Sequence, residues 1–271
     1  MLKTLWISFF FIANLAMAEV ISGRIVDVES SLLKLDTGRV VFLKGDTFKA
    51  ELEAARGATV ELNVGSTNSL ESVFKINQVA AENFTPSLVI AEKPAFEPTV
   101  ISQAAAKVMF NRLNPKFKRI SECSDRAHVW SYDEFKNNGI KTQKVFTFFT
   151  ASYITRNRFK WWFHVAPLVS VAESDGSVGQ RVLDYRYTDR PVPIKTWTDL
   201  LVYSKRACKM TDKFSEYDVN PQTEDCYMMI DSMYYHSPEE LADMENQIYR
   251  SGFNDFEVSG IRGRAFRKGN L

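Results

Sequence analysis

Apolar positions in the first part of the chain come in short runs divided by turn formers. Val20 and Ile21 are followed by Ile25, Val26 and Val28, then by Leu32, Leu33 and Leu35, then by Val40 to Leu43. Glu29-Ser30-Ser31, Asp36-Thr37-Gly38 and Lys44-Gly45-Asp46 separate them. Runs this short, interrupted this regularly, predict β-strands joined by tight turns. A short helix over Phe48–Arg56 and strands over Thr59–Val64 and Ser72–Ile76 complete a small β-rich unit, a barrel of roughly five strands. It contains no histidine and no cysteine.

The pattern changes from Glu82 to Pro98, where Pro86, Pro94 and Pro98 interrupt a stretch with neither helical nor strand period. Such composition marks a domain boundary and a protease-sensitive linker. Helical spacing resumes over Thr99–Leu113, with a stripe of Ile101, Ala105, Val108 and Leu113 that Asn114-Pro115 ends. Ser121 can cap a helix from Cys123 to Lys136, stopped by Asn137-Asn138-Gly139. Strands are predicted over Lys144–Ala151, Phe159–Ala172 and Gly179–Asp184, the last two joined as a hairpin by Ser174-Asp175-Gly176. Pro167 removes a ladder donor from the middle strand and implies a bulge or an edge there. Ser237-Pro238-Glu239-Glu240 is a capping box opening a helix striped by Leu241, Met244 and Ile248 and ending near Gly252. Arg262, Arg264, Arg267 and Lys268 read as a solvated strand face. Together these elements predict an α+β chain, with a β-rich unit over 19–80, a linker over 81–101 and a larger domain over 102–271.

Residues 1–18 carry an address rather than structure. Lys3 gives a positive start, Leu5–Leu15 an apolar run, and Ala16-Met17-Ala18 a cleavage site of small residues, as in a secretory signal peptide. The run is well short of the ~20 residues a spanning helix needs, and no cysteine follows the cleavage site for lipidation. The expected protein is therefore exported, periplasmic or secreted, with no membrane anchor. Its 34 basic and 33 acidic side chains become 33 of each once Lys3 is removed, so no bulk field draws it to nucleic acid. Export also bears on the three cysteines. In an oxidising compartment Cys208 and Cys226, 18 positions apart in a polar stretch, are expected to pair. Cys123 is left over.

Cys123 falls in the first turn of its predicted helix, where unpaired N–H groups favour thiolate over thiol and can hold an oxyanion. Of the three histidines, His128 lies five residues on and points off the cysteine's face, and His236 lies in a loop. His164 sits inside the apolar strand Trp161-Trp162-Phe163-His164-Val165-Ala166, where packing alone does not ask for an imidazole. Asp184 closes the next apolar run, and in a hairpin it can reach His164 and fix its tautomer. The residues leave a bland alternative open, in which Cys123 is a buried small hydrophobe, His164 a core histidine and Asp184 a turn former. The aromatic residues around His164 are mostly strand core. Trp162 shares its face and is the candidate for lining a substrate tunnel. The histidines show no metal-ligand spacing, and no cofactor is implied.

Glu122-Cys123-Ser124-Asp125-Arg126-Ala127-His128, Trp162-Phe163-His164-Val165-Ala166 and Arg181-Val182-Leu183-Asp184 together resemble the bacterial protein-glutaminase (protein-glutamine deamidase) family. The intervals also resemble the family's, with 41 positions from Cys123 to His164 and 20 from His164 to Asp184. The likeness continues through Pro191-Val192, Trp197, Cys208, Cys226 and Tyr234-Tyr235-His236-Ser237-Pro238. It implies a papain/transglutaminase-like catalytic domain with Cys123 as nucleophile, His164 as base and Asp184 as orienting acid. It also implies an enzyme that hydrolyses the γ-carboxamide of protein-bound glutamine, and an N-terminal pro-region removed by a maturing protease. Tyr185 stands where the family tends to have proline. A transglutaminase or cysteine peptidase on the same core is the nearest alternative, and a non-catalytic exported binding protein the more distant one.

Overall fold

The computed structural model describes residues 19–29, 31–77, 89–90, 93–113, 122–217 and 224–267. The signal-peptide reading, the Ser121 cap, the Asn114-Pro115 stop, Pro86 and Lys268 lie outside them. The first unit comprises β1 (Glu19–Glu29), β2 (Leu32–Leu35), β3 (Val40–Phe42), α1 (Lys49–Ala54), β4 (Thr59–Val64) and β5 (Leu70–Asn77). Its strands form an antiparallel sheet in the order β3-β2-β1-β4-β5. A parallel bridge from Phe42 to Ser69 joins the two edges, so the sheet curls upon itself at that point. Leu33, Leu35, Val41, Leu52, Val60 and Leu62 fill its interior.

A short strand β6 (Val89–Ile90) and an extended segment lead to β7 (Val100–Ser102) and α2 (Gln103–Asn111). The helix expected over Thr99–Leu113 thus starts later, because Val100–Ser102 pairs with a strand of the main sheet and Ser102 caps the helix through Ala105 N–H at 3.1 Å. Its buried face is Ala106, Met109 and Phe110, with Val108 turned to solvent. Next come α3 (Cys123–Asn138), β8 (Gln143–Phe149), α4 (Ala151–Asn157), β9 (Phe163–Ala172), β10 (Val178–Val182) and α5 (Ile194–Leu201). After them follow β11 (Lys209–Met210), β12 (Cys226–Ser232), α6 (Pro238–Asp243), β13 (Tyr249–Arg250) and α7 (Asp255–Arg267). Gly139, at φ +67°, ends α3 in the left-handed conformation that favours glycine.

The main sheet runs β10-β9-β8-β12-β11, with β7 alongside β9. Its central strand β9 is buried along nine of its ten residues, and Trp130 of α3 packs with its Val169 and Val171. Burial on both faces explains the unbroken apolar run in the sequence. Pro167 produces neither bulge nor edge, since β8 and β9 pair in unbroken register through Lys144↔Pro167. Its carbonyl accepts from Leu183 N–H just past the end of β10, so the missing donor faces a place where that ladder has already ended.

Three other expectations are corrected. Thr150 and Ala151, expected as the end of a strand, instead open helix α4, which Thr150 caps through Tyr153 N–H. The helix opened by Pro238 stops at Asp243 and passes into a 3-10 turn, with Ser237 making no side-chain cap. The C-terminal arginines belong to a helix rather than a strand, and Arg262 ion-pairs with Asp133 of α3 at 2.6 Å.

The β-rich unit is seated on the main sheet. Val40 N–H donates to Lys160 O at 2.9 Å, Trp162 N–H to Gly38 O at 2.8 Å, and the Trp162 indole to Leu35 O at 2.8 Å. The β2–β3 hairpin thereby adds backbone pairing to the segment that leads into β9. Gly38 is required there, because at φ +85° a side chain would be strained and its Cβ would lie 3.2 Å from the Phe163 ring.

Cys208 and Cys226 form the expected disulfide, which ties the segment before β11 to the start of β12. Replacing both with serine should cost about 3 kcal/mol, the chain-entropy value for a loop of this size. Denaturant midpoints of variant and wild type, with and without reductant, measure it, and equal midpoints would refute it.

Candidate active site

Two elements and one turn converge at the end of β9. Helix α3 delivers Cys123 in its first turn, β9 delivers His164 two residues inside the sheet, and the residue pair after β10 delivers Asp184. The hairpin pairing Val182↔Leu168 fixes where Asp184 falls. His164 Nε2 lies 2.6 Å from Asp184 Oδ2, and the His164 ring is also hydrogen-bonded to the Cys123 side chain. Since Nε2 is engaged by the carboxylate, Nδ1 is the nitrogen that serves the sulfur. All three side chains are buried, so the three candidates meet in the protein interior.

The surroundings supply what a buried charge pair needs. The Trp197 indole N–H donates to Asp184 Oδ2 at 2.9 Å, and Arg186 N–H donates to Asp184 Oδ1 at 3.2 Å. The Tyr187 ring stands edge-on to His164 at 5.1 Å between centroids. Burial pushes the His164 ring toward neutrality, but the charge and hydrogen bond of Asp184, with a further contribution from Cys123, raise it to about 9. Burial likewise opposes the Asp184 carboxylate, and His164, Trp197 and Arg126 hold it below its usual value. Trp197 appeared in the sequence as part of a resemblance with no role. Its position one turn into α5, the helix that follows the segment ending in Asp184, is the available signal.

The other two histidines meet at another face of α3, His128 on the helix and His236 from the loop between β12 and α6. His128 is fully buried, its Nδ1 2.8 Å from Lys144 Nζ, which also donates to Tyr235 O at 2.5 Å. Burial first, then the neighbouring Lys144, His236 and Arg250, push His128 well below its usual value, and burial does the same to Lys144. His236 Nε2 donates to Asp125 Oδ1 at 2.9 Å. One atom each from His236, Glu240 and Glu257 falls within 4.8 Å of the others. The guanidinium of Arg250 ion-pairs with both glutamates at 2.6 and 2.9 Å and fills the cationic place among them. Trp162 lies in the apolar cluster that also holds Cys123, stacked near Phe148 and Tyr217, with its indole N–H bound to the β-rich unit.

Residues 99–201, the stretch that carries Cys123, His164 and Asp184, match a family described as Glutaminase. No curated protein matches the chain. A crystal structure of a mutant pro-protein-glutaminase superposes with a TM-score of 0.54 at 15% identity, covering 92% of each chain. A crystal structure of pro-protein-glutaminase gives 0.51 at 16% identity, over 93% of this chain and 94% of that one. The chain has the fold of pro-protein-glutaminase. The resemblance read from its motifs therefore holds in three dimensions, as a mixed α/β protein-glutaminase fold with the β-rich unit included in the superposed length. Among the described residues no helix is long and apolar enough to cross a membrane.

The His164–Asp184 pair gives a signed pH dependence. The raised imidazole contributes stability that is whole below its ordinary 6.5 and is lost as pH climbs through about 9. The lowered carboxylate contributes above its ordinary 3.8 and loses that contribution as pH falls. The stability gap between wild type and Asp184→Asn should therefore be widest between these limits and close toward alkaline pH. Denaturant midpoints across the range test it. A gap that widens above pH ~9 would contradict the assignment.

Proposed function

We propose that the chain is an exported protein-glutamine deamidase that hydrolyses the γ-carboxamide of protein-bound glutamine through a Cys123 thioester. The convergence of Cys123, His164 and Asp184, inside the stretch that matches the glutaminase family, carries this reading. A His164 ring held protonated up to about 9 beside a sulfur at a helix N-terminus supports a thiolate–imidazolium pair. The thiolate attacks the carboxamide carbon, and the first-turn N–H groups of α3 receive the developing oxyanion. His164 gives its proton to the departing nitrogen, so ammonia leaves and a γ-glutamyl thioester remains. The now neutral ring takes a proton from water, whose oxygen attacks the thioester carbon, and glutamate and Cys123 are released. Asp184 keeps its charge throughout and holds the ring in one orientation. The chemistry uses no cofactor.

The β-rich unit, 19–80, is proposed as a pro-region. Its hairpin binds the backbone at Lys160 and Trp162, immediately before the strand that carries His164. Its release frees Trp162, proposed to line the way for the glutamine side chain. The linker is not a uniform tether. Lys93 pairs with Asp231 at 2.9 Å, Phe96 packs on Tyr234, and Thr99 N–H donates to Lys141 O. A maturing cut upstream of Lys93 would leave these contacts with the 102–271 catalytic domain.

Incubation with a glutamine-bearing peptide, assayed for ammonia, chain cleavage and amine incorporation, tests the activity. Ammonia without cleavage is expected, with a loss on the order of 10³-fold or more in Cys123→Ser. Cleavage without ammonia would assign a peptidase, and amine incorporation outrunning ammonia a transglutaminase. Limited proteolysis upstream of Lys93 should raise the rate, and full activity of the uncut chain would make the β-rich unit an accessory domain instead.

A further inference from the structure

The first N–H groups of any helix lack an intrahelical acceptor, and at α3 the two side chains placed to cover them among the described residues make no capping bond to them. The N-cap residue Glu122 makes no side-chain capping bond. Asp125 stands at the third helical position, from which an acid folds back over the helix end in a capping box. Its Oδ1 is instead held by His236 Nε2–H at 2.9 Å. His236 is fixed from behind, its backbone N–H donating to Glu240 Oε2 at 2.6 Å. Glu240 is in turn ion-paired with Arg250, and Arg250 with Glu257. The His236 ring also stands edge-on to buried His128 at 5.1 Å between centroids. No step of the reaction above uses His236 or Asp125.

We propose that His236 is a positioning residue that holds the Asp125 carboxylate off the end of α3, keeping the N–H groups beside Cys123 open for the oxyanion. This rests on the deamidase reading. A released Asp125 would be an internal anion two residues from the nucleophile. It would bond to the donors the transition state needs and place negative charge where negative charge must develop. The cost falls on turnover rather than on substrate binding, because the oxyanion exists only at the transition state. The injury comes from Asp125, so removing Asp125 as well must repair it.

The test measures ammonia release from a glutamine-bearing peptide by the proteolytically processed full chain. Wild type, His236→Ala, His236→Gln and the double variant His236→Ala/Asp125→Ala are compared, each checked for folding by thermal melting. His236→Ala should lose on the order of 10²-fold in kcat, the scale of one oxyanion donor, with KM nearly unchanged. His236→Gln, whose amide N–H can reach the same oxygen, should keep most of the activity. The double variant should recover about tenfold or more over His236→Ala. If His236→Ala does not fold, His236→Asn, too short to reach Asp125, takes its place. A double variant as slow as the single one, or a loss confined to KM, overturns the positioning role while leaving the deamidase reading intact. A wild-type enzyme that releases no ammonia removes both.

Discussion

A carboxylate and an imidazole 2.6 Å apart, both buried, set the terms for the rest of the site. Burying both partners is expensive, and a pair of well-packed apolar residues would often serve stability as well or better. The surrounding structure makes the pair tolerable. Asp184 Oδ2 accepts from Trp197 as well as from His164, and Oδ1 accepts from Arg186 N–H. Each donor comes from a different segment, so α5, the turn after β10 and β9 must all be in place before the carboxylate is satisfied. Geometry of this kind orients an imidazole without loose motion, which a nucleophile–base pair requires.

The fold delivers these groups through register. Pairing of β9 with β10 places Asp184 beside His164, and pairing of β9 with β8 sets Thr147 opposite His164. A shift of one residue in either ladder would turn His164 to the other face. Apolar packing between α3 and β9 through Trp130, Val169 and Val171 then fixes how far Cys123 stands from the sheet. The β2–β3 hairpin binds the same strand from its other end, at Gly38 and Leu35. The segment leading into the strand that carries His164 is thus also the seat of the N-terminal unit, which brings that unit close to His164.

Much of this was legible in the sequence because local signals and tertiary demands agreed. Short apolar runs with polar turns became β1 to β5, and Gly139 ended α3 where the Asn137-Asn138-Gly139 stop predicted. The failures occurred where tertiary contacts outweighed local pattern. Val100–Ser102 has helical neighbours, yet it pairs with Ser170–Ala172 because β9 offers an open partner there. Pro167 looked disruptive because the sequence does not show that β10 ends before its nitrogen. Ser237 has the residues of a capping box, but Glu240 bonds to His236 N–H one residue earlier, so the expected reciprocal cap does not form.

The three histidines show most plainly what a sequence withholds. His128 and His164 are both buried, on adjoining elements of one core, and burial alone disfavours the charged ring in each. They nevertheless move in opposite directions, because the decisive neighbour differs. An acid, Asp184, faces His164, while a base, Lys144, faces His128. Burial and Lys144 hold His128 well below its usual value, whereas Asp184 holds His164 above its own. Strand register selects those neighbours: it puts Lys144 opposite Pro167 on one ladder and brings Asp184 round to His164 on the other. The charge each buried ring carries in this core therefore follows from sheet pairing as much as from burial.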